Sequence, residues 1–219
     1  VNYALEQGYD YLFTINDDSV VEDGHISRLV TIAQTHHLCI LGNRIDYLES
    51  KEKIWALGTE LTWGTPNFLS LNFHNYLAQE LPSQLKEKDF LEVDTLPGNG
   101  VLIHRDIFIN IGLYRAQFLP HYHADSELFL RANKHGFRSY VSPNIILKND
   151  FSKEQKKLSF KGLKNLLYTF FNPKSHLFMP AIFYIFICYC PWSAYPKTAY
   201  YLLARLISLR KRSLGSERC

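Results

Sequence analysis

The sequence predicts an α/β fold with a mixed β-sheet, followed by a helical C-terminal region. Short β-prone apolar segments alternate with segments in which apolar residues recur at helical spacing. The 219 residues are 47% hydrophobic and 15% aromatic, which is enough apolar material for one sizeable core. We therefore expect an α/β body over residues 1–150 and a helical region over residues 151–219.

The first elements form a strand, a loop and a helix. The strand is predicted over residues 11–16, "YLFTIN", and the helix begins at about Asp23. Its apolar residues repeat at helical spacing: Ile26, Leu29, Val30 and Ala33.

Further elements follow in alternation. Strands are predicted over 38–45, 54–63 and 99–104. Two helices come next, over 105–111 and 125–135. Gly112 and Gly136 close them, because glycine readily adopts the left-handed conformation in which helices end. A last strand is predicted over 137–143.

Charge is distributed unevenly along the chain. The whole sequence has a formal net charge of +3, but residues 148–219 hold 13 Lys and Arg against 3 Asp and Glu. Residues 1–147 hold 11 basic and 18 acidic residues. A basic tail of this kind favours phosphates or an anionic membrane surface as partners. No helix-turn-helix, zinc-finger or RNA-binding signature accompanies it, so nucleic acid is not an expected partner.

The tail itself contains two informative segments. Residues 156–171 predict a basic amphipathic helix whose apolar face is Leu163, Leu166, Leu167, Phe170 and Phe171. Residues 175–196 contain no Asp, Glu, Lys or Arg, but Pro180 and Pro191 interrupt the run. An interfacial or re-entrant membrane segment fits this pattern better than one clean span. A buried pair of C-terminal helices is the alternative.

Two adjacent carboxylates follow the first predicted strand. Ligands of open α/β sheets bind beyond the carboxyl ends of strands, which is where Asp17 and Asp18 fall. Two carboxylates at such a position can share a hard divalent cation such as Mg²⁺ or Mn²⁺. The alternative is that Asn16, Asp17, Asp18 and Ser19 form only an Asx turn.

A second acidic group lies at the start of the helix predicted over 125–135. Asp125 there suits either a helix N-cap or a general base held as the anion by the helix dipole. Glu127 and Arg131 follow as an i, i+4 pair. His121 and His123 lie just upstream, and we expect them to contact an acceptor or the solvent, because zinc would need a third ligand.

These stretches, with residues 96–114 between them, resemble the inverting family 2 glycosyltransferases of GT-A type, especially the bacterial rhamnosyltransferase-like branch. The resemblance covers about residues 1–175. It implies that Asp18 ligates the metal and that Asp17 supports the metal or the ribose of the donor. Asp125 would be the catalytic base. The remaining implied donor- and acceptor-binding residues are Asn16, Gly98, Asn99, Gly100, Glu127 and Arg131.

The implied reaction is metal-dependent inverting transfer of a sugar in bacterial surface glycan synthesis. The donor would be a nucleotide-sugar, and the acceptor a hydroxyl of a lipid-linked molecule or a polysaccharide. Mg²⁺ or Mn²⁺ is the expected cofactor. The basic tail then indicates a peripheral or re-entrant location at the cytoplasmic face of the cell membrane.

The resemblance also has departures. The two βα units that hold the nucleobase in a GT-A domain have no counterpart here, which predicts an N-terminally truncated domain. Arg115 and Ala116 replace two acidic residues of the family's pattern, and residues 148–150, "KND", stand where many relatives carry a metal-binding histidine. A non-catalytic remnant or binding module derived from a truncated glycosyltransferase is therefore the alternative function.

Overall fold

The computed structural model describes residues 1–50, 52–151, 163–175 and 177–215, and these form two compact units. The first unit consists of the described residues of Val1–Glu60, Ser70–Leu113 and Leu128–Glu154. The second consists of those of Leu61–Leu69, Tyr114–Glu127 and Gln155–Cys219. The predicted boundary at residue 150 follows chain order, whereas two earlier segments belong to the same unit as the C-terminal helices.

A seven-stranded mixed sheet organises the first unit. In pairing order the strands are β1 (Tyr11–Thr14), β8 (Val101–His104), β3 (Ile40–Tyr47), β9 (Ser139–Asn149) and β2 (Ser19–Val21), with β4 (Ile54–Ala56) on β3 and β7 (Leu91–Val93) on β9. β3 and β9 are parallel, whereas β8 is antiparallel to both β1 and β3. The predicted α/β class with a mixed sheet is confirmed.

The sheet curls at the end that carries the acidic turn. β1 and β2 lie at opposite ends of the pairing order, yet only residues 15–18 connect them. Four residues cannot span five flat strands that lie about 4.8 Å apart, so the sheet must bend. β2 pairs with the last three residues of β9, where Ser19 is opposite Asn149.

Among the described residues, four α-helices lie entirely within the first unit: α1 (Asn2–Glu6), α2 (His25–Thr35), α3 (Ser83–Lys86) and α4 (Arg105–Ile111). On α2, His25, Leu29 and Ala33 are buried at four-residue spacing. Ile26, a member of the predicted helical repeat, is 47% exposed, whereas the side chain of His25 is buried. α4 ends at Gly112 with φ 78°, as predicted.

The single strand predicted over residues 54–63 is wrong. The chain forms β4 and then β5 (Thr59–Leu61), which pairs with β6 (Leu69–Leu71) in a separate two-stranded sheet. Gly58 separates them with φ 75°, and a Cβ there would lie 2.6 Å from a methyl carbon of Val93. The left-handed backbone and the close approach of Val93 explain the break.

The last strand was predicted to end at Pro143. It continues past this proline, so β9 covers Ser139–Asn149. Pro143 lies in a register shift of β9, opposite the step from Asn43 to Arg44 on β3. A shift of this kind accommodates a residue that has no backbone N–H. Arg44 Nη1 donates to the Pro143 carbonyl at 3.2 Å, and the strand continues to Asn149.

Helices α6 (Leu163–Phe171), α7 (Met179–Tyr189) and α8 (Tyr195–Gly215) form most of the second unit. Their buried apolar residues are Phe170, Leu177, Met179, Ala181, Ile182, Ile185, Phe186 and Leu202. Pro180 lies in the first turn of α7 and Pro191 follows its end, so the prolines limit this apolar helix to 11 residues. Among the described residues, no helix is both long enough and apolar enough to cross a membrane.

The predicted apolar face of the amphipathic helix is divided. Phe170 is buried, whereas Leu167 is 48% exposed and Phe171 is 62% exposed. The side chains of Leu163 and Leu166, and residues 156–162 of the predicted helix, lie outside the described part of the chain.

Candidate active site

The acidic turn joins β1 to β2 in the first unit. Asp17 is exposed and Asp18 is half-buried. The Asp18 carbonyl accepts a hydrogen bond from the Asp150 backbone N–H at 3.0 Å, which ties the turn to the chain just beyond β9. The turn is therefore anchored at the curled end of the sheet.

A hydrogen-bonded group, which we call the amide cluster, holds this turn: the backbone N–H of Asn16 and the side chains of Ser19, Asn99 and Asn149. Asn99 Oδ1 accepts from the Asn16 backbone N–H at 3.0 Å, and Asn99 Nδ2 donates to Ser19 Oγ at 2.9 Å. Asn149 Oδ1 accepts from Ser19 Oγ at 2.6 Å and from Asn99 Nδ2 at 2.9 Å. The cluster connects the acidic turn to the glycine-bearing segment that follows it by some 80 residues.

Gly100 is required by a close approach within the protein. Its backbone N–H donates to the Thr14 carbonyl at 2.7 Å, and its φ is 77°. A Cβ at this position would lie 1.9 Å from Asn43 Oδ1, which is also 3.1 Å from Nε2 of the buried His25. The glycine thus makes room for an asparagine side chain of β3. Gly98, two residues earlier, is half-buried.

Asp18 has one oxygen in an unusual environment. Its Oδ1 atom is buried and has no hydrogen-bond partner among the described residues. The described residues contain no group of three or more His, Cys, Asp or Glu that could hold a metal. Magnesium commonly binds proteins through only one or two carboxylates and completes its shell with water and substrate phosphates. Asp17 and Asp18 fit that mode of binding.

Asp125 lies in the second unit, in the first turn of α5 (Ala124–Lys134). The Glu127 N–H donates to the His123 carbonyl at 3.0 Å, which makes His123 the N-cap residue. Asp125 is therefore a helical residue and does not occupy the N-cap position. Burial raises the pKa of its carboxyl from 3.8 to about 6, although its own backbone N–H and the charge of His121 favour the anion.

Glu127 is fully buried in the second unit. Its Oε1 accepts from the Tyr189 hydroxyl at 2.7 Å and lies 3.5 Å from Nε of Arg115. Arg115 also donates to the Tyr184 hydroxyl. Glu127 itself is 0% exposed, so any effect of this residue on ligand binding would be transmitted by Arg115 and Tyr189, the side chains that contact it.

Arg131 is buried in the first unit. It donates from Nη2 to the Leu113 carbonyl at 2.8 Å and from Nη1 to the Ile111 carbonyl. These contacts satisfy carbonyls at and just beyond the end of α4, a common role for arginine near helix C-termini. The proposed pairing of this residue with a ligand stays a prediction.

Sequence reasoning missed part of the amide cluster. The sequence assigns Ser19 only to the alternative Asx turn and gives Asn149 no role beyond the departure of residues 148–150 from the family's pattern. The signal that could have found the cluster is a polar side chain at each of three strand ends: Ser19 at the start of β2, Asn149 at the end of β9 and Asn99 just before β8. Only the curl of the sheet brings these three strand ends together.

Comparisons with known proteins add little. No family model matches the sequence, and no curated protein matches it. Among solved structures, the crystal structure of A197 from STIV is similar over 68% of this chain and 70% of that chain, with 15% identity and a TM-score of 0.38. Similarity at that level carries no argument, so the functional assignment depends on the side chains described above.

Proposed function

We propose that this chain is a glycosyltransferase of GT-A type that transfers a sugar from a nucleoside-diphosphate donor with inversion. The observation that carries the proposal is the hydrogen bond from Asn16 N–H to Asn99 Oδ1, together with its neighbours in the amide cluster. It joins the two segments that the family resemblance assigns to donor binding, although they are far apart in sequence.

The donor end would use the acidic turn. Asp18 would hold Mg²⁺ or Mn²⁺, with Asp17 as a second carboxylate or a contact to the ribose. When bound, the cation would neutralise charge on the departing diphosphate. Asn99 would fix the turn, since its amide binds both the Asn16 backbone and the Ser19 hydroxyl.

Asp125 would take the proton of the acceptor hydroxyl. As that proton moves to the carboxylate, the acceptor oxygen bonds to the anomeric carbon and the bond to the diphosphate breaks on the opposite face. A pKa of about 6 leaves the group mostly ionised at neutral pH, yet basic enough to accept a proton. A single displacement of this kind needs no covalent enzyme intermediate.

The test is a sugar-nucleotide assay on the intact chain. We would measure hydrolysis and transfer from uridine- and thymidine-diphosphate sugars with Mg²⁺ or Mn²⁺, and repeat both in excess chelator. Activity should require the cation and be abolished by Asp18→Asn. Asp23→Asn, the same change at an exposed residue nearby, should leave activity intact.

Two results would overturn the assignment. Full turnover in excess chelator, or in the Asp18→Asn protein, would remove the role of the acidic turn. Absence of turnover with every donor, combined with binding of a glycan acceptor, would favour the non-catalytic binding module.

We also propose that the second unit faces a membrane surface. It exposes several large apolar side chains beside a basic sequence: Leu167, Tyr168, Phe171, Ile187, Trp192, Tyr200 and Leu203. Trp192, the most exposed at 88%, lies in the uncharged run of residues 175–196. Aromatic side chains at the edge of a basic region are typical of membrane-interface proteins.

Point substitutions test the proposed membrane contact of the second unit better than truncation does. Removal of the chain beyond residue 153 would delete Tyr189, the hydrogen-bond partner of the buried Glu127, so loss of the helices would confound solubility with misfolding. Phe171→Ser with Trp192→Ser should lower partitioning into anionic vesicles by at least about tenfold. Tyr3→Ser with Tyr9→Ser, an exposed aromatic pair of the first unit, is the control. Equal losses for both pairs would refute a specific membrane face.

A further inference from the structure

A small cavity in the second unit combines one cation with apolar walls. Its volume is about 70 Å³ and it is partly open to solvent. The polar side chains that line it are Asn67, His123 and Arg205. Phe68, Ile182 and Ile185 contribute apolar walls and are all buried. A cavity of this volume exceeds the space that one water molecule needs, which is about 15 Å³.

Arg205 is the notable group in this cavity. Its side chain is half-buried on α8, and no carboxylate pairs with it among the described residues. Burial lowers the pKa of the guanidinium from its ordinary value, which means that the charge is held away from water. Unpaired buried charges are unfavourable, and a bound anion would relieve that cost.

The start of α5 contributes to the cavity wall. His123, which lines the cavity, is the N-cap residue of this 11-residue helix. Asp125 and Glu127, the acidic residues in the first turn of this helix, oppose the partial positive charge of its N-terminus, so the preference for an anion rests on Arg205. His123 and Asn67 also bring hydrogen-bonding groups to the cavity wall.

We propose that this cavity binds a phosphate group carried on a short apolar chain. Arg205 would bind the phosphate oxygens through its planar guanidinium, with His123 and Asn67 as further donors. Phe68, Ile182 and Ile185 would contact the chain. The site does not depend on the transfer chemistry proposed above, and its binding is measurable without donor or metal.

The experiment is calorimetric titration of the intact chain with three probes: hexyl phosphate, inorganic phosphate and hexanol. Hexyl phosphate should bind at least about tenfold more tightly than either of the others, because only it offers both a charge-assisted hydrogen bond and apolar contact. Equal binding of inorganic phosphate would overturn the role of the apolar walls. Equal binding of hexanol would overturn the role of the anion.

Variants assign the effect to the cavity. Arg205→Met keeps an unbranched side chain without the guanidinium and should lower affinity for hexyl phosphate by about tenfold or more. Its thermal midpoint should equal or exceed that of the parent, because an unpaired, half-buried charge is removed. Lys174→Gln, which removes an exposed positive charge of the same unit, should leave affinity unchanged. Unchanged affinity in Arg205→Met would refute the site.

A second variant keeps the test informative if Arg205→Met fails to fold. His123 has φ 68°, a conformation that asparagine tolerates well. His123→Asn should therefore fold and weaken hexyl phosphate binding several-fold. Parental affinity in this variant would contradict the proposal independently of Arg205.

Discussion

The turn between β1 and β2 and the first turn of α5 surround their carboxylates in different ways. Around Asp18, asparagine and serine side chains supply a hydrogen-bonded frame, and one carboxylate oxygen is left without a partner among the described residues. Around Asp125, burial dominates and raises the carboxyl pKa to about 6. The same residue type is thus suited to a cation in the first region and to a proton in the second.

The largest expected effect is on turnover when the buried carboxyl is removed. Asp125→Asn should lower kcat by about 10²- to 10⁴-fold with little change in donor affinity, because general-base assistance is lost. Asp106→Asn is the matched control, since Asp106 is a first-turn aspartate of α4 and carries the same charge. Steady-state kinetics on both proteins decides between a base and a purely electrostatic role at a helix end. Near-normal kcat in Asp125→Asn would contradict Asp125 as the proton acceptor, and with it the contrast between a cation-binding Asp18 and a proton-accepting Asp125.

The next effect is on the stability of the protein when the packing behind the acidic turn is disturbed at Gly100. Gly100→Ala should lower the free energy of unfolding by about 2–5 kcal/mol, because it adds a clash with Asn43 Oδ1 to a left-handed backbone. Gly136→Ala has a similar φ but open space around the added Cβ, and should lower it by only about 1–2 kcal/mol. Urea titration of both proteins separates the clash from the backbone strain. Equal losses would mean that the amide of Asn43 moves freely.

The smallest effect is a pH dependence that belongs to the second region. The pKa of Asp125 is raised to about 6 in the folded chain, so between pH 3.8 and 6 the folded state binds more protons than the unfolded state. Its contribution to stability is therefore present at low pH and is lost as pH rises through that window, by at most about 3 kcal/mol.

Comparison of unfolding curves tests the sign. The stability of Asp125→Asn relative to the parent should increase from pH 4 to pH 6 and stay constant above it. Asp106→Asn should not reproduce that trend. A parent protein that gains stability relative to Asp125→Asn over this interval would show that its carboxyl is not destabilised by burial.

Local sequence predicted the elements that local physics determines. α4 was predicted correctly because "RDIFINI" repeats apolar residues at helical spacing and Gly112 ends it. The three-residue strands β2 and β7 were missed, since each depends on pairing with β9, a partner far away in sequence. Tertiary context decides the state of segments this short.

The candidate site was predictable in its charged residues and not in its neutral ones. Asp17, Asp18 and Asp125 stand out as carboxylates beside a strand end or a helix start. Asn149 gives no such signal, because its contact with Ser19 and Asn99 exists only where the curled sheet brings strand ends together. Likewise the pKa of Asp125 depends on burial, which no local pattern encodes.

The amide cluster also governs the chemical ageing of the chain. Asparagine followed by glycine is the sequence most prone to deamidation, in which the next backbone nitrogen attacks the side-chain carbonyl to form a succinimide. In the folded chain that nitrogen, on Gly100, donates to the Thr14 carbonyl, and both ends of the Asn99 amide are hydrogen-bonded. Folding therefore protects Asn99 from deamidation. A preparation that unfolds during storage would accumulate aspartate and isoaspartate at position 99. Either product would place a negative charge where the acidic turn needs a neutral amide.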